Sequence, residues 1–227
     1  MIFVDSPHGP GVIGLSCGEL ARYTEFHACF DAVQAPPGSL KAYGVGYDTA
    51  SNSNDVIRQM RPQDQWVWIM DDDHAFEGDV LLRLLDRQVD LVVPFYLQRK
   101  PPFRPVLYTA RPDGKFDHIN FADLKGQSGL VKIDSAGKGG VLIRRPVIEA
   151  MGAGPWFEHR GWMGEDHVFF TKAKELGFQL HVDLDVSMEH ITPCKVRPVC
   201  EDGEWAGQLH LYNDVRVTVR QVDAPEA

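Results

Sequence analysis

Along most of this chain, short apolar runs of strand type alternate with stretches whose apolar residues recur every three or four positions. Ile2 to Val4 reads as a first short strand, closed by the rigid loop Pro7-His8-Gly9-Pro10-Gly11. Gly18 to Val33 has helical character, with Leu20, Tyr23, Phe26 or His27, and Phe30 at three- and four-residue spacings, and Pro36-Pro37-Gly38 ends it. Lys41 to Tyr47 alternates as a second strand. The polar run Thr49-Ala50-Ser51-Asn52-Ser53-Asn54 supplies several N-caps for a short helix carrying Val56, Ile57 and Met60. Trp66-Val67-Trp68-Ile69-Met70 is aromatic and β-branched, the signature of a strand buried on both faces. Gly78-Asp79 opens a helix that buries Val80, Leu81, Leu84 and Leu85, and Asp90 to Pro94 is the next apolar strand. This strand-helix-strand unit is of the parallel type.

Residues 106 to 138 carry weaker signals. Turns at Arg111-Pro112-Asp113-Gly114 and Lys125-Gly126-Gln127-Ser128-Gly129 predict short antiparallel strands. Gly139-Gly140-Val141-Leu142-Ile143 predicts another strand, whose bare start suits either close approach of a sugar or packing against a neighbour. A helix begins at Glu165-Asp166, faces inward with Phe169, Ala173 and Leu176, and stops at Gly177. Gln179 to Val186 alternates, with Leu180, Val182, Leu184 and Val186 on one face and His181, Asp183 and Asp185 on a half-exposed polar face. Trp205 to Val222 predicts one or two closing strands before a frayed polar end.

Candidate chemistry concentrates directly after the Trp66 to Met70 strand, where Asp71-Asp72-Asp73-His74 follow. Open α/β sheets place ligands at the carboxyl ends of their strands. Three adjacent carboxylates repel one another, and a divalent cation shared with substrate phosphates relieves that repulsion. The alternative is a solvated turn or a helix cap by Asp73, which needs only one of the three acids. The basic, proline-rich loop Arg99-Lys100-Pro101-Pro102-Phe103-Arg104 suits phosphate contacts, since guanidinium groups grip phosphates in a forked geometry. Glu165 and Asp166 favour a first helical turn on dipole grounds alone. His190 lies past a strand end and is a candidate metal ligand.

Composition narrows the partners. Of 227 residues, 44% are hydrophobic and 24% charged, values of an ordinary globular protein. A net charge of -9 disfavours a nucleic-acid groove without excluding a local basic patch. No apolar run approaches a membrane span, and the start lacks the pattern of a signal peptide. Cys17, Cys29, Cys194 and Cys200 match no zinc framework and read as free thiols, so a cytoplasmic protein is expected.

Taken in order, these motifs resemble a nucleotide-sugar-dependent glycosyltransferase of the GT-A fold, closest to the family-2-like inverting enzymes. The resemblance rests on Asn54 before a short helix, on Asp71-Asp72-Asp73, Gly139-Gly140 and Glu165-Asp166, and on His190, and it covers about residues 40 to 191. It implies an α/β fold: a GT-A-like, Rossmann-related sandwich with a central, mostly parallel mixed sheet flanked by helices and a small antiparallel annex. It implies a single domain over residues 1–227, with about residues 1–100 binding the nucleotide sugar and about 101–220 facing the acceptor. Asp73 then corresponds to the metal-binding carboxylate of the DxD motif, Asp71 to its partner toward the ribose or the metal shell, and His190 to the late metal ligand. Asp166 corresponds to the general base, with Glu165 beside it. Donor contacts fall to Asn54, Asp71, Asp72, Arg99, Gly139 and Gly140, and Trp162 either stacks on the acceptor or packs on the helix. The implied cofactor is Mn2+ or Mg2+ and the implied partner a nucleotide-diphosphate sugar, a UDP-sugar first among them, with the acceptor unspecified. Family members often carry an arginine where Ser53 stands here, so that its phosphate or base contact is either missing or supplied by Arg99 or Arg104. A metal-dependent phosphoester hydrolase and a non-catalytic nucleotide-sugar or glycan-binding protein use the same residue types, and fold alone does not separate them.

Overall fold

The Trp66–Asp71 strand lies deep in the central sheet and buries five of its six residues. Its alternation divides the core. Val67 and Ile69 face one apolar cluster, and Trp66, Trp68 and Met70 face the other. The computed structural model describes residues 1–18, 23–201, 204–211 and 215–219.

Elements are numbered in chain order. The main sheet contains β2 (Val12–Cys17), β4 (Leu40–Val45), β5 (Trp66–Asp71), β7 (Leu91–Phe95), β10 (Leu130–Ile133), β12 (Val141–Arg144) and β13 (Leu180–Ser187). Their spatial order is β10-β13-β7-β12-β5-β2-β4. Five strands run parallel, and β12 and β10 run against them. Helices α2 (Thr49–Arg58), α4 (Arg145–Ala150) and α5 (Glu165–Glu175) cover one face, contributing Val56, Ile148 and Phe169 among others. Helices α1 (Thr24–Ala32) and α3 (Val80–Asp86) cover the other through Phe26, Phe30, Leu81 and Leu85. This is the mixed, mostly parallel α/β architecture expected.

Smaller sheets complete the chain. β1 (Ile2–Phe3) pairs with β3 (Gln34–Ala35), and β8 (Leu107–Ala110), β9 (Phe116–His118) and β11 (Ser135–Ala136) form a three-stranded antiparallel sheet. β6 (His74–Ala75) pairs with β14 (Glu189–His190), and β15 (Cys194–Glu201), β16 (Glu204–Leu211) and β17 (Val215–Val219) form a meander. Among the described residues, no helix is long and apolar enough to cross a membrane.

Several sequence expectations need correction. The first strand of the main sheet is β2, which carries Gly14 at its middle, and Ile2–Phe3 stays outside that sheet. Gly14 is required by close packing, because a Cβ there would lie 2.0 Å from Val56 Cγ1. The helix expected from Asp55 begins at Thr49, capped by Asp48, whose carboxylate accepts from the Ser51 amide at 3.0 Å. Asn52, Ser53 and Asn54 are therefore buried helix body rather than caps. Asp183, expected on a half-exposed face, is fully buried and held by Arg87 at 2.6 Å. The helix expected from Gly18 starts at Thr24. Leu20 and the residues after Val219, the chain end expected to fray, lie outside the described residues.

Candidate active site

Asp71 ends β5 at the carboxyl edge of the sheet, and a tight turn through Asp72 and Asp73 leads into β6. There His74 pairs in register with His190 of β14, and the Ile191 amide donates to the Asp73 carbonyl at 2.8 Å. Strand pairing thus brings together two histidines far apart in the chain. Their rings stack with centroids 4.5 Å apart and planes 22° from parallel. Asp73 completes the group, with Oδ1 at 3.5 Å from His74 Nδ1 and Oδ2 at 3.3 Å from His190 Nε2.

This trio fits a divalent cation. Asp73, His74 and His190 each offer one ligand atom, all within 4.8 Å of one another. The His190 Nδ1 proton, assigned from its 2.9 Å contact with the Leu97 carbonyl, leaves the Nε2 lone pair facing Asp73. His74 is almost wholly buried, and burial with His190 alongside pushes its pKa down to about 4, against the pull of Asp73 and Asp71. It lies near the Asp71 backbone, but neither ring nitrogen reaches a well-formed hydrogen bond. Two buried nitrogens without hydrogen bonds are costly unless something binds them, and neutral imidazole is a good metal ligand.

The trio opens on a cleft of about 550 Å³. Lys138, 4% exposed, reaches into the cleft and donates to Asp71 Oδ1, with Ser16 Oγ at 3.5 Å. Burial pushes this ammonium toward deprotonation, but Asp71, aided by Glu165 and Asp166, prevails and holds its pKa above the ordinary lysine value. Arg99 Nη1 sits 2.8 Å from Asp73 Oδ2. Helix α5 starts with Glu165 and Asp166, which also line the cleft, after an N-cap at Gly164. Glu165 accepts from Thr49 Oγ1 and lies 3.6 Å from His159 Nδ1. Burial raises the Asp166 pKa above the usual aspartate value, with His167 opposing and Glu165 reinforcing the shift.

Of the residues picked out in the sequence, Asp71, Asp73, Arg99, Glu165, Asp166 and His190 all line this cleft. The others lie elsewhere. Asn54 donates to the Phe157 carbonyl at 2.7 Å and accepts from the Trp156 and Phe157 amides at 3.0 Å each, which pins a turn behind the cleft. Asp72 is 1% exposed within the turn. A Cβ on Gly139 would lie 2.6 Å from His74 Cε1, and Gly140 has φ +87 and packs on Pro94 and Met188. Trp162 is 65% exposed on the Arg160–Met163 turn, so it does not pack on the helix. Arg104 is exposed and lies outside the cleft lining. Sequence reasoning missed His74 as a ligand, although it noted the side chain, because the β6–β14 pairing that partners it has no periodic signal. It missed Lys138 altogether. A lone lysine before two glycines carries no spacing cue.

No family model matches this chain, and no curated protein matches it. Solved structures do. A crystal structure of A197 from STIV aligns with a TM-score of 0.51 at 12% identity, covering 96% of this chain and 98% of that one. A crystal structure of GalNAc-T7 with UDP, GalNAc and Mn2+ aligns with a TM-score of 0.55 at 10% identity, covering 86% of this chain and 44% of that one. At these identities the likeness is one of fold, and the fold is GT-A-like.

Proposed function

We propose that this chain is a metal-dependent glycosyltransferase that moves a sugar from a nucleotide-diphosphate sugar to an acceptor hydroxyl with inversion. One observation carries the reading: the Asp73-His74-His190 trio and the Asp166 carboxylate line a single cleft at the carboxyl edge of the sheet. The GT-A-like fold and a neighbour bound to UDP, GalNAc and Mn2+ favour a UDP-sugar as donor.

Asp73, His74 and His190 would hold the cation, which when bound supplies Lewis-acid stabilisation of the departing diphosphate. Arg99 and Lys138 add fixed positive charge beside that wall, where the leaving group gains negative charge. Asp71 stands at the donor side of the cleft. Asn54, Asp72, Gly139 and Gly140 support the donor site from behind, through the turn and the backbone approaches already described. Asp166 takes the proton of the acceptor hydroxyl, and burial favours this by making its carboxylate a stronger base than an exposed one. Were the base to act from the side of the anomeric carbon away from the leaving group, attack would invert that carbon through an oxocarbenium-like transition state. Glu165 anchors α5 to α2 through Thr49 and keeps its neighbour in place. Trp162, exposed beside the base-bearing turn, offers a face for an acceptor sugar.

A panel of nucleotide sugars tested for hydrolysis and transfer with Mn2+, Mg2+ or chelator decides the reading. The imidazole-rich ligand set predicts Mn2+ above Mg2+, and the UDP-bound neighbour predicts UDP-sugars turned over ahead of other donors. Phosphoester turnover without any nucleotide sugar would make the protein a hydrolase instead. Tight nucleotide binding with no turnover would make it a binding protein.

A further inference from the structure

Lys138 is a buried cation placed among acids that a cation-binding site would otherwise use. Asp71 and Asp73 both end in the same cleft, yet the atoms close enough to share an ion belong to Asp73, His74 and His190, and Asp71 is outside that set. The Asp71 carboxylate turns to the Lys138 ammonium instead. Gly139 keeps the two arrangements side by side, since a Cβ there would meet His74 Cε1 at 2.6 Å and Asp71 Oδ2 at 3.3 Å. Lys138 is thus separated from the trio by one carboxylate and one bare backbone position.

We propose that Lys138 is a positioning residue that withholds Asp71 from the metal, leaving the cation to one carboxylate and two imidazoles. The inference rests on the metal-site part of the proposed function and on no particular substrate. Its consequence is electrostatic. A dication bound by Asp73 alone among the acids keeps one net positive charge, whereas a second carboxylate would cancel it. The retained charge is what a diphosphate needs, and the neutralised Asp71 is left to accept from a donor hydroxyl.

Manganese binding by the purified full chain, followed by the electron paramagnetic resonance of free Mn2+ without any donor, tests this. In Lys138→Met the Asp71 carboxylate is released beside the trio, and Mn2+ affinity should rise about tenfold as the ligand charge count grows. In the double variant Lys138→Met/Asp71→Asn the buried pair becomes neutral, and affinity should return to the wild-type value. Unchanged or weaker binding in Lys138→Met would overturn the proposal. Loss of binding in the double variant would do the same, because it would make Asp71 a ligand. Should Lys138→Met fold poorly with its buried unpaired acid, a rise in Tm on adding Mn2+ that is larger than the wild type's would support the proposal, and one no larger would overturn it. Failure of the transferase reading shows separately, as wild-type protein that binds Mn2+ but turns over no nucleotide sugar.

Discussion

At the scale of single residues, the site depends on side chains whose chemistry is set by burial. His74 is held neutral by its surroundings, so one ring nitrogen keeps its lone pair for a metal at ordinary pH. Replacing it by alanine should weaken Mn2+ binding by about 100-fold or more while leaving far-UV circular dichroism unchanged, as calorimetric titration would show. Asp166 gives a pH signature. A general base works only when ionised, and burial raises its pKa, so transfer should fall as pH drops through that raised value. The acid limb then lies above the ordinary aspartate pKa of about 3.9. Asp166→Asn should lower kcat by about 10²- to 10⁴-fold and abolish that limb. An intact limb in the variant would assign the proton transfer to another group. The sequence made Asp166 and Asp73 visible because acids beside a strand end or helix start stand out from their neighbours. His74 and Lys138 were not visible in those roles, since each acquires its meaning from a partner far along the chain.

At the scale of elements, apolar patterning identified most strands and helices near their observed places. The misses at Gly14, at residues 52 to 54 and at Asp183 share a cause, which is that tertiary contact overrode local preference, whereas α4 (Arg145–Ala150) and β15 (Cys194–Glu201) carried no expectation at all. β2 contains Gly14, a weak strand former, because α2 packs too closely to admit a side chain. The polar residues 52 to 54 lie inside α2 because Asn52 bonds across the fold to the Cys17 and Gly46 carbonyls and Asn54 to the Trp156–Phe157 turn, while Ser53 donates back to the Thr49 carbonyl of its own helix. Asp183 alternates like a solvent-facing residue, yet α3 lies over it and supplies Arg87 near its C-terminal end. Removing that partner leaves a fully buried carboxylate without its charge. Arg87→Ala should therefore cost about 3 kcal/mol or more, measured by urea denaturation, with Mn2+ affinity retained in the folded protein. A cost below about 1 kcal/mol would mean that the pair behaves as a surface ion pair.

At the scale of the whole molecule, the sheet order decides where the chemistry meets. β12 runs antiparallel between β5 and β7 and carries Lys138 and Gly139 to the edge where β5 delivers Asp71. The parallel arrangement of β5 and β2 aligns their carboxyl ends, so Ser16 stands opposite Asp71 in register. Helix α5 brings Glu165 and Asp166 to the same cleft. The sequence by itself determined the α/β class, the double-faced burial of Trp66–Met70 and the acidic edge that follows it, because periodicity and charge crowding are local properties of the chain. Only the tertiary structure decided that His74 faces His190, that Lys138 holds Asp71 and that Asn54 serves the scaffold. Those outcomes depend on which strands pair and how closely helices approach the sheet, and both are set by packing between residues distant in sequence.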